Sequence, residues 1–309
     1  MMKTEWKALS YDELKDTIFT VQLWTQIVGK IRLRRMPWIN HSWHVTLYVS
    51  SRGFTTGSIP YSGSLFQIEF DFVDHVLVIT SSSGNRSILN LESGSISNFY
   101  QELFTKLKEL NIDVEIYPQS NELELAILFK EDNQERIYDP EKMRGYWDQL
   151  IKINNIFLDF RAGFIGKCSP VHLFWGAFDL AVTRFSGRRA PQHPGGAPHI
   201  PLAVMQEAYS HEVSSAGFFP GNDQFPHPAF YSYCYPTPDD FGKQKVKPAE
   251  TFYSEEMGEF FLLYDDVRKS SDPEKALMEF LHSTYEAAAN TGNWNREELE
   301  FDFSEFNKS

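Results

Sequence analysis

Between Trp43 and Leu91 the chain carries five short runs rich in aromatic and β-branched residues: His44 to Ser50, Gly53 to Pro60, Leu65 to Phe72, His75 to Thr80 and Arg86 to Leu91. Connections of a few residues, marked by Arg-Gly, Ser-Gly and Ser-Gly-Asn, separate them. A parallel pair needs a crossover of a dozen residues or more, so strands joined this tightly are antiparallel neighbours. That requirement fixes an antiparallel sheet in the first third of the chain.

The flanking segments have helical spacing. Leu14, Ile18, Val21, Trp24 and Val28 predict a helix over 12–33 that ends in Lys30, Arg32, Arg34 and Arg35, read as a solvated basic end or, alternatively, an anion site. Ser95 or Ser97 opens a second helix, closed by Asn111, and a strand is expected over 113–117. The stretch 119–138 reads as a connector. Asp139-Pro140 and Asp272-Pro273 each pair a capping carboxylate with a proline suited to the first helical turn, so each starts a helix. Between them come a strand region over 171–186, a Pro- and Gly-rich loop over 187–201, and strands near 210–219, 229–235 and 259–264. Beyond Trp294 the acidic tail is expected to be loosely held.

The order helix, antiparallel strands, helix thus occurs twice. Ile27-Val28-Gly29-Lys30 and Phe164-Ile165-Gly166-Lys167 are each followed by a strand-opening histidine, His44 or His172, with Thr55 or Thr183 at the same distance beyond. The expected fold class is therefore α+β, antiparallel sheet with packed helices, with an internal duplication as one reading and coincidence as the other. An N-terminal half over 1–135 and a C-terminal half over 136–309 would pack as one unit, first strands paired across a pseudo-twofold axis. At 309 residues the chain is long enough for a sizeable core, and its 26 Phe, 14 Tyr and 7 Trp supply one.

A net charge of −13 opposes phosphate-backbone binding, so no nucleic acid is expected. No run approaches the ~18 apolar residues of a membrane span, and the N-terminal residues lack the apolar core of a signal peptide. Cys168 and Cys234 stand far apart, giving neither a disulfide framework nor a zinc spacing. A cytoplasmic protein with no membrane partner, no cofactor and no metal is expected.

His172, Asp179 and Arg184 stand in a run that otherwise reads as a buried strand, where an unpaired charge costs several kcal/mol. Alternation sets His172 and Arg184 on one face and Asp179 on the other. A bulge at Gly176 would bring all three together, either as a structural Asp–Arg pair or as a carboxylate beside an arginine that holds an anionic ligand. His41 and His44, flanked by Trp38 and Trp43, read as structural histidines rather than metal ligands. Glu69 and Asp71 share a face about 7 Å apart, as an acid–base pair or a solvated surface, with Asp74 and His75 in a turn. Arg188, Arg189, His193 and His199 lie in the 187–201 loop, read as a lid or binding loop. Tyr209, Ser210, His211 and Glu212 are consecutive and cannot form a triad among themselves, though His211 can join His172 or Asp179 across strands. Tyr231, Tyr233 and Tyr235 present three phenols on one face.

Leu-Trp-Thr-Gln-Ile-Val-Gly-Lys, Asn-His-Ser-Trp-His-Val-Thr-Leu-Tyr-Val, the long segment from Phe164 to Arg188, Tyr-Ser-His-Glu-Val and Ser-Thr-Tyr-Glu-Ala-Ala-Ala together resemble a family of bacterial proteins of unknown function, over about Trp6 to Trp294. The resemblance implies no reaction, cofactor or catalytic residue. From the residues themselves the expectation is a pocket between the halves, with His172, Asp179 and His211 as catalytic groups and His44, Trp43, Trp175, Arg184 and Arg188 as ligand-binding groups. It would serve an enzyme or binder of a small organic, anionic molecule. The alternative is a non-enzymatic protein whose aromatic faces serve self-association, as a homo-oligomer, or a partner protein.

Overall fold

A computed structural model describes residues 5–301 apart from residue 125. Helix α1 (Tyr11–Arg35) leads into β1 (Tyr48–Val49), β2 (Gly53–Thr55), β3 (Ile59–Tyr61), β4 (Ser64–Asp71), β5 (Val76–Ser81) and β6 (Arg86–Asn90). The short β7 (Gly94–Ser95) precedes α2 (Ile96–Glu109) and pairs with β8 (Glu135–Arg136), after which α3 (Pro140–Ala162) begins. The second series is β9 (His172–Phe174), β10 (Asp179–Arg189), α4 (Leu202–Ala208), β11 (His211–Phe219), β12 (Ala229–Tyr235), β13 (Phe252–Ser254) and β14 (Glu259–Leu263), followed by α5 (Tyr264–Lys269), α6 (Pro273–Thr291) and α7 (Arg296–Leu299).

Every strand pair is antiparallel among the described residues, as the short connections demand. One six-stranded sheet runs β1-β2-β4-β5-β6 with β3 beside β4, and the other runs β13-β14-β12-β11-β10-β9. The fold is α+β. Leu47 and Leu173 join the sheets by reciprocal backbone bonds of 3.0 and 2.8 Å, the first strands of the two series lying side by side.

The caps act as read. Asp139 and Asp272 accept from the backbone N–H groups of Lys142 and Lys275 behind their prolines, Ser95 accepts from Asn98, and Asn111 takes the left-handed conformation at φ 59° that ends α2. One apolar core includes Trp24, Leu47, Phe70, Leu103, Trp147, Leu173, Phe218 and Leu281.

Several expectations are corrected. Helix α1 continues to Arg35, so Gly29 and Lys30 lie inside it, whereas Gly166 and Lys167 lie beyond the end of α3. The recurring motif thus occupies two different local structures, and His44 lies before β1 rather than opening it. Lys30 and Arg32 are buried instead of solvated: Lys30 donates to the Asn121 side chain and Arg32 to the Thr46 and Thr56 carbonyls. Residues 113–117 form no strand, because no neighbouring strand pairs with them; the Asp113 N–H bonds the Tyr61 hydroxyl instead. Asp71 lies under 4% exposed, held by Arg52 and accepting from the N–H groups of Val73 and Asp74, which makes it a turn-building residue. The tail beyond Trp294 folds back as far as Phe301, whose N–H bonds the Gly163 carbonyl, and the rest of it lies outside the described residues.

Candidate functional site

Residues 171–186 are a hairpin, not one strand. Phe174 and Asp179 pair across a turn at Trp175–Phe178, with Phe178 at φ 59°, so Gly176 belongs to the turn and supplies no bulge. Cross-strand partners share a face, and His172 therefore lies on the side of Ala181 and Asp179, opposite to Arg184. The expected trio does not assemble. Arg184 turns to the other side, onto the rings of Phe160 and Tyr285 at 3.6 and 4.3 Å, and donates to the Phe160 carbonyl. His172 is fully buried with no hydrogen-bond partner for either ring nitrogen among the described residues, and burial pushes its pKa down to about 3, so it stays neutral.

Around Asp179 a different set converges. Gly217 on β11 lies between β10 and β12 and is paired with Tyr231. A Cβ there would sit 2.3 Å from the Tyr231 ring, so the absent side chain lets that ring cross β11 and donate its hydroxyl to Asp179. Gly176 does the same for a carboxylate: a Cβ would lie 1.8 Å from Oε1 of Glu122, which arrives on the 119–138 segment at φ 60°. Glu259 on β14 continues the register Ser232–Phe260 and so stands beside Tyr233, whose hydroxyl meets that of Tyr209 at 2.9 Å.

Burial dominates the titration of all three carboxyl groups, raising Asp179 to about 6 and both Glu122 and Glu259 to about 7, the glutamates also feeling the charge of Asp179. The Tyr231 bond acts on Asp179 in the opposite direction. None of the three is fully covered, however. All three are densely surrounded by protein yet keep some exposure to solvent. Tyr231 and Tyr233 have phenols pushed well above the usual range, first by burial, so they remain hydrogen-bond donors.

The 187–201 segment does approach this face, in a modified form. Gly187–Arg189 complete β10, and the irregular part begins at Ala190. His193 stacks on Tyr209 at 4.4 Å and lies 4.9 Å from Tyr235, the Pro198 carbonyl accepts from the Glu122 N–H, and the His199 carbonyl accepts from Asn121.

The other predicted groups disperse. Arg188 pairs with Glu212 at 2.7 Å and donates to the carbonyls of Gly292 and Asn293 after α6, so it lies away from Asp179. His211 bonds Ser210 at 3.1 Å, since Ser210 precedes the strand, but Glu212 faces Arg188 and no triad forms. His44 is buried, with Nδ1 against the Ile39 backbone. Trp43 packs on His41 and Phe185, whereas Trp175 lies over Gly29 and donates to the Val45 carbonyl, so the two indoles do not wall one pocket. Two open depressions elsewhere, one at Tyr61, Ser64 and Asn111 and one at Ser50, Asn154 and Asn155, are chemically poorer, with Tyr61 their only titratable group. No group of three or more His, Cys, Asp or Glu suited to a metal ion occurs among the described residues.

Glu122 and Glu259 carry no local sequence signal of a site, the first because it lies in a polar connector. Glycine in the interior of β11, at Gly217, is the sequence feature that marks a close approach of another group.

The fold is that of an α+β protein that gathers Asp179, Glu259, Tyr231 and Tyr233 on one face of its second sheet, with Glu122 laid against the turn at Gly176. The chain belongs to a family of unknown function, DUF5996, whose model matches residues 6–301. No curated protein and no solved structure matches it. No helix among the described residues is long and apolar enough to cross a membrane.

Proposed function

We propose that the acidic, phenol-bearing face around Asp179 binds a small organic molecule bearing amino or hydroxyl groups and performs proton transfer on it, with Asp179 and Tyr231 as the central pair. The observation that carries this reading is the Tyr231 contact to Asp179 beside Glu122 and Glu259, three carboxyl groups titrating near neutrality. A general acid or base works best with a pKa near the working pH, and burial supplies that match. Carboxylates and phenols accept hydrogen bonds from hydroxyls and ammonium groups, and a cationic ligand would relieve the repulsion among the three. The expectation of an anionic ligand rested on Arg184, whose side chain lies on the opposite side of the sheet from Asp179, against Phe160. The unpaired thiols of Cys168 and Cys234 fit a reducing, cytoplasmic setting.

Native mass spectrometry of the purified protein looks for a carried molecule, and thermal shift against small amines, polyols and carboxylic acids identifies the class. The reading expects amine or polyol hits that Asp179→Asn and Glu259→Gln abolish while circular dichroism stays unchanged. Hits confined to carboxylic acids, or shifts identical in the variants, would overturn it.

A further inference from the structure

Further along β10, at Phe185 and about 20 Å from Asp179 at ~3.3 Å per residue, the structure holds a second constellation. A short 3-10 turn, Asn40–Ser42, places His41 and Ser42 consecutively in the left-handed region at φ 57° and 58°. Two such residues in a row are strained, and strain of this kind persists only where the surroundings hold it. Here the His41 N–H is gripped by both carboxylate oxygens of Glu207, at 3.0 and 2.8 Å, and its Nδ1 lies 2.9 Å from the Ala208 carbonyl.

A carbonyl oxygen can only accept, so Nδ1 carries the proton and Nε2 presents a lone pair. That lone pair faces the Lys167 amine at 2.5 Å. The amine sits beside aromatic walls, 5.0 Å from the Phe185 ring and 5.7 Å from Trp43, while remaining partly open to solvent. We propose that Lys167 is a reactive amine that condenses with a small aldehyde or ketone, with His41 as its proton carrier.

The neutral amine of Lys167, its ammonium proton already lost to solvent, attacks the carbonyl carbon; the N–C bond forms as the C–O π bond opens, one N–H proton passes to Nε2 of His41, and the oxygen takes up a proton from solvent to give the neutral carbinolamine. His41 then returns its proton to the carbinolamine hydroxyl, which leaves as water while the nitrogen loses its remaining proton to solvent, giving the neutral imine. Burial lowers the Lys167 pKa, and the Glu207 charge works against that shift. The other titratable groups nearby are His211 on β11 and Arg189 on β10. Lys30, whose amine burial lowers to about 8, is enclosed beneath Asn121 and serves as an unreactive internal comparison.

The test treats the intact chain with limiting pyridoxal, traps imines with sodium cyanoborohydride and maps adducts by mass spectrometry. Lys167 is expected to label about tenfold faster than the exposed Lys108 and Lys245. His41→Asn keeps a residue tolerant of positive φ while removing the proton carrier. It should slow Lys167 labelling and shift its pH–rate profile upward, leaving Lys108 unchanged. Lys167→Arg should remove the fast adduct with the circular dichroism spectrum intact. Labelling of Lys167 at the rate of Lys108, or an unaltered pH profile in a folded His41→Asn variant, would overturn the assignment. Loss of amine or polyol binding at Asp179 would leave this result unaffected, so the two readings fail separately.

Discussion

Tyr231 reaches Asp179 only by crossing the strand between them, and it crosses at Gly217. The contact therefore depends on three strands at once: the carboxyl from β10, the gap from β11 and the phenol from β12. A β11 residue with any side chain at position 217 would separate the pair.

Asp179→Asn keeps an acceptor for the Tyr231 hydroxyl and removes a charge. The folded carboxyl titrates at about 6, above an ordinary aspartate, so between those values the folded chain holds more protons than the unfolded one, and stability falls as pH rises through that window. The Asn variant escapes this loss. It is expected to be more stable than the parent by about 1–3 kcal/mol at about pH 8, with the difference shrinking as pH falls below about 6 and vanishing only below about pH 4. Chemical denaturation at the two pH values decides it; a variant less stable at the higher pH would show that the ionised carboxylate is held by something stronger.

Gly217→Ala introduces a Cβ 2.3 Å from the Tyr231 ring. Overpacking of this kind costs about 1–3 kcal/mol, and the ring must move. With Tyr231 displaced, Asp179 loses the bond that lowers its pKa and should titrate higher still. Carboxyl-carbon NMR titration of the variant reads this directly, and an unchanged Asp179 midpoint would mean that the phenol is not a strong partner.

His172→Leu replaces two buried ring nitrogens that lack partners by an apolar side chain of similar size. Since the imidazole stays neutral down to about 3 when folded but takes a proton near its usual value when unfolded, its presence costs stability progressively as pH falls below about 6.5. The variant should match or exceed the parent at neutral pH, its advantage growing by about 1–2 kcal/mol toward pH 5. A large loss of stability at both pH values would reveal a polar role for the ring.

What could be read in the sequence follows the range of the forces involved. Asp139-Pro140, Asp272-Pro273 and the short hairpin connections act within a few residues, and each appears where expected. The phenol stripe of Tyr231, Tyr233 and Tyr235 obeys simple alternation as well, with Tyr235 bonded to the Pro191 carbonyl. Alternation failed at His172 and Arg184 because it was carried through Trp175–Phe178, where the chain reverses. Glu122 could not be paired with Asp179 from sequence, since nothing local to a polar loop says which strand it will cover.

The reciprocal bonds between Leu47 and Leu173 also cap two open sheet margins with each other. Either series of strands made alone would leave its innermost margin with unmet N–H and C=O groups, a template for pairing with a second copy. Each series of strands is thus expected to need the other to keep its margin from self-pairing. A fragment ending near 135, or one starting near 136, would be expected to self-associate, and mixing the two should suppress it.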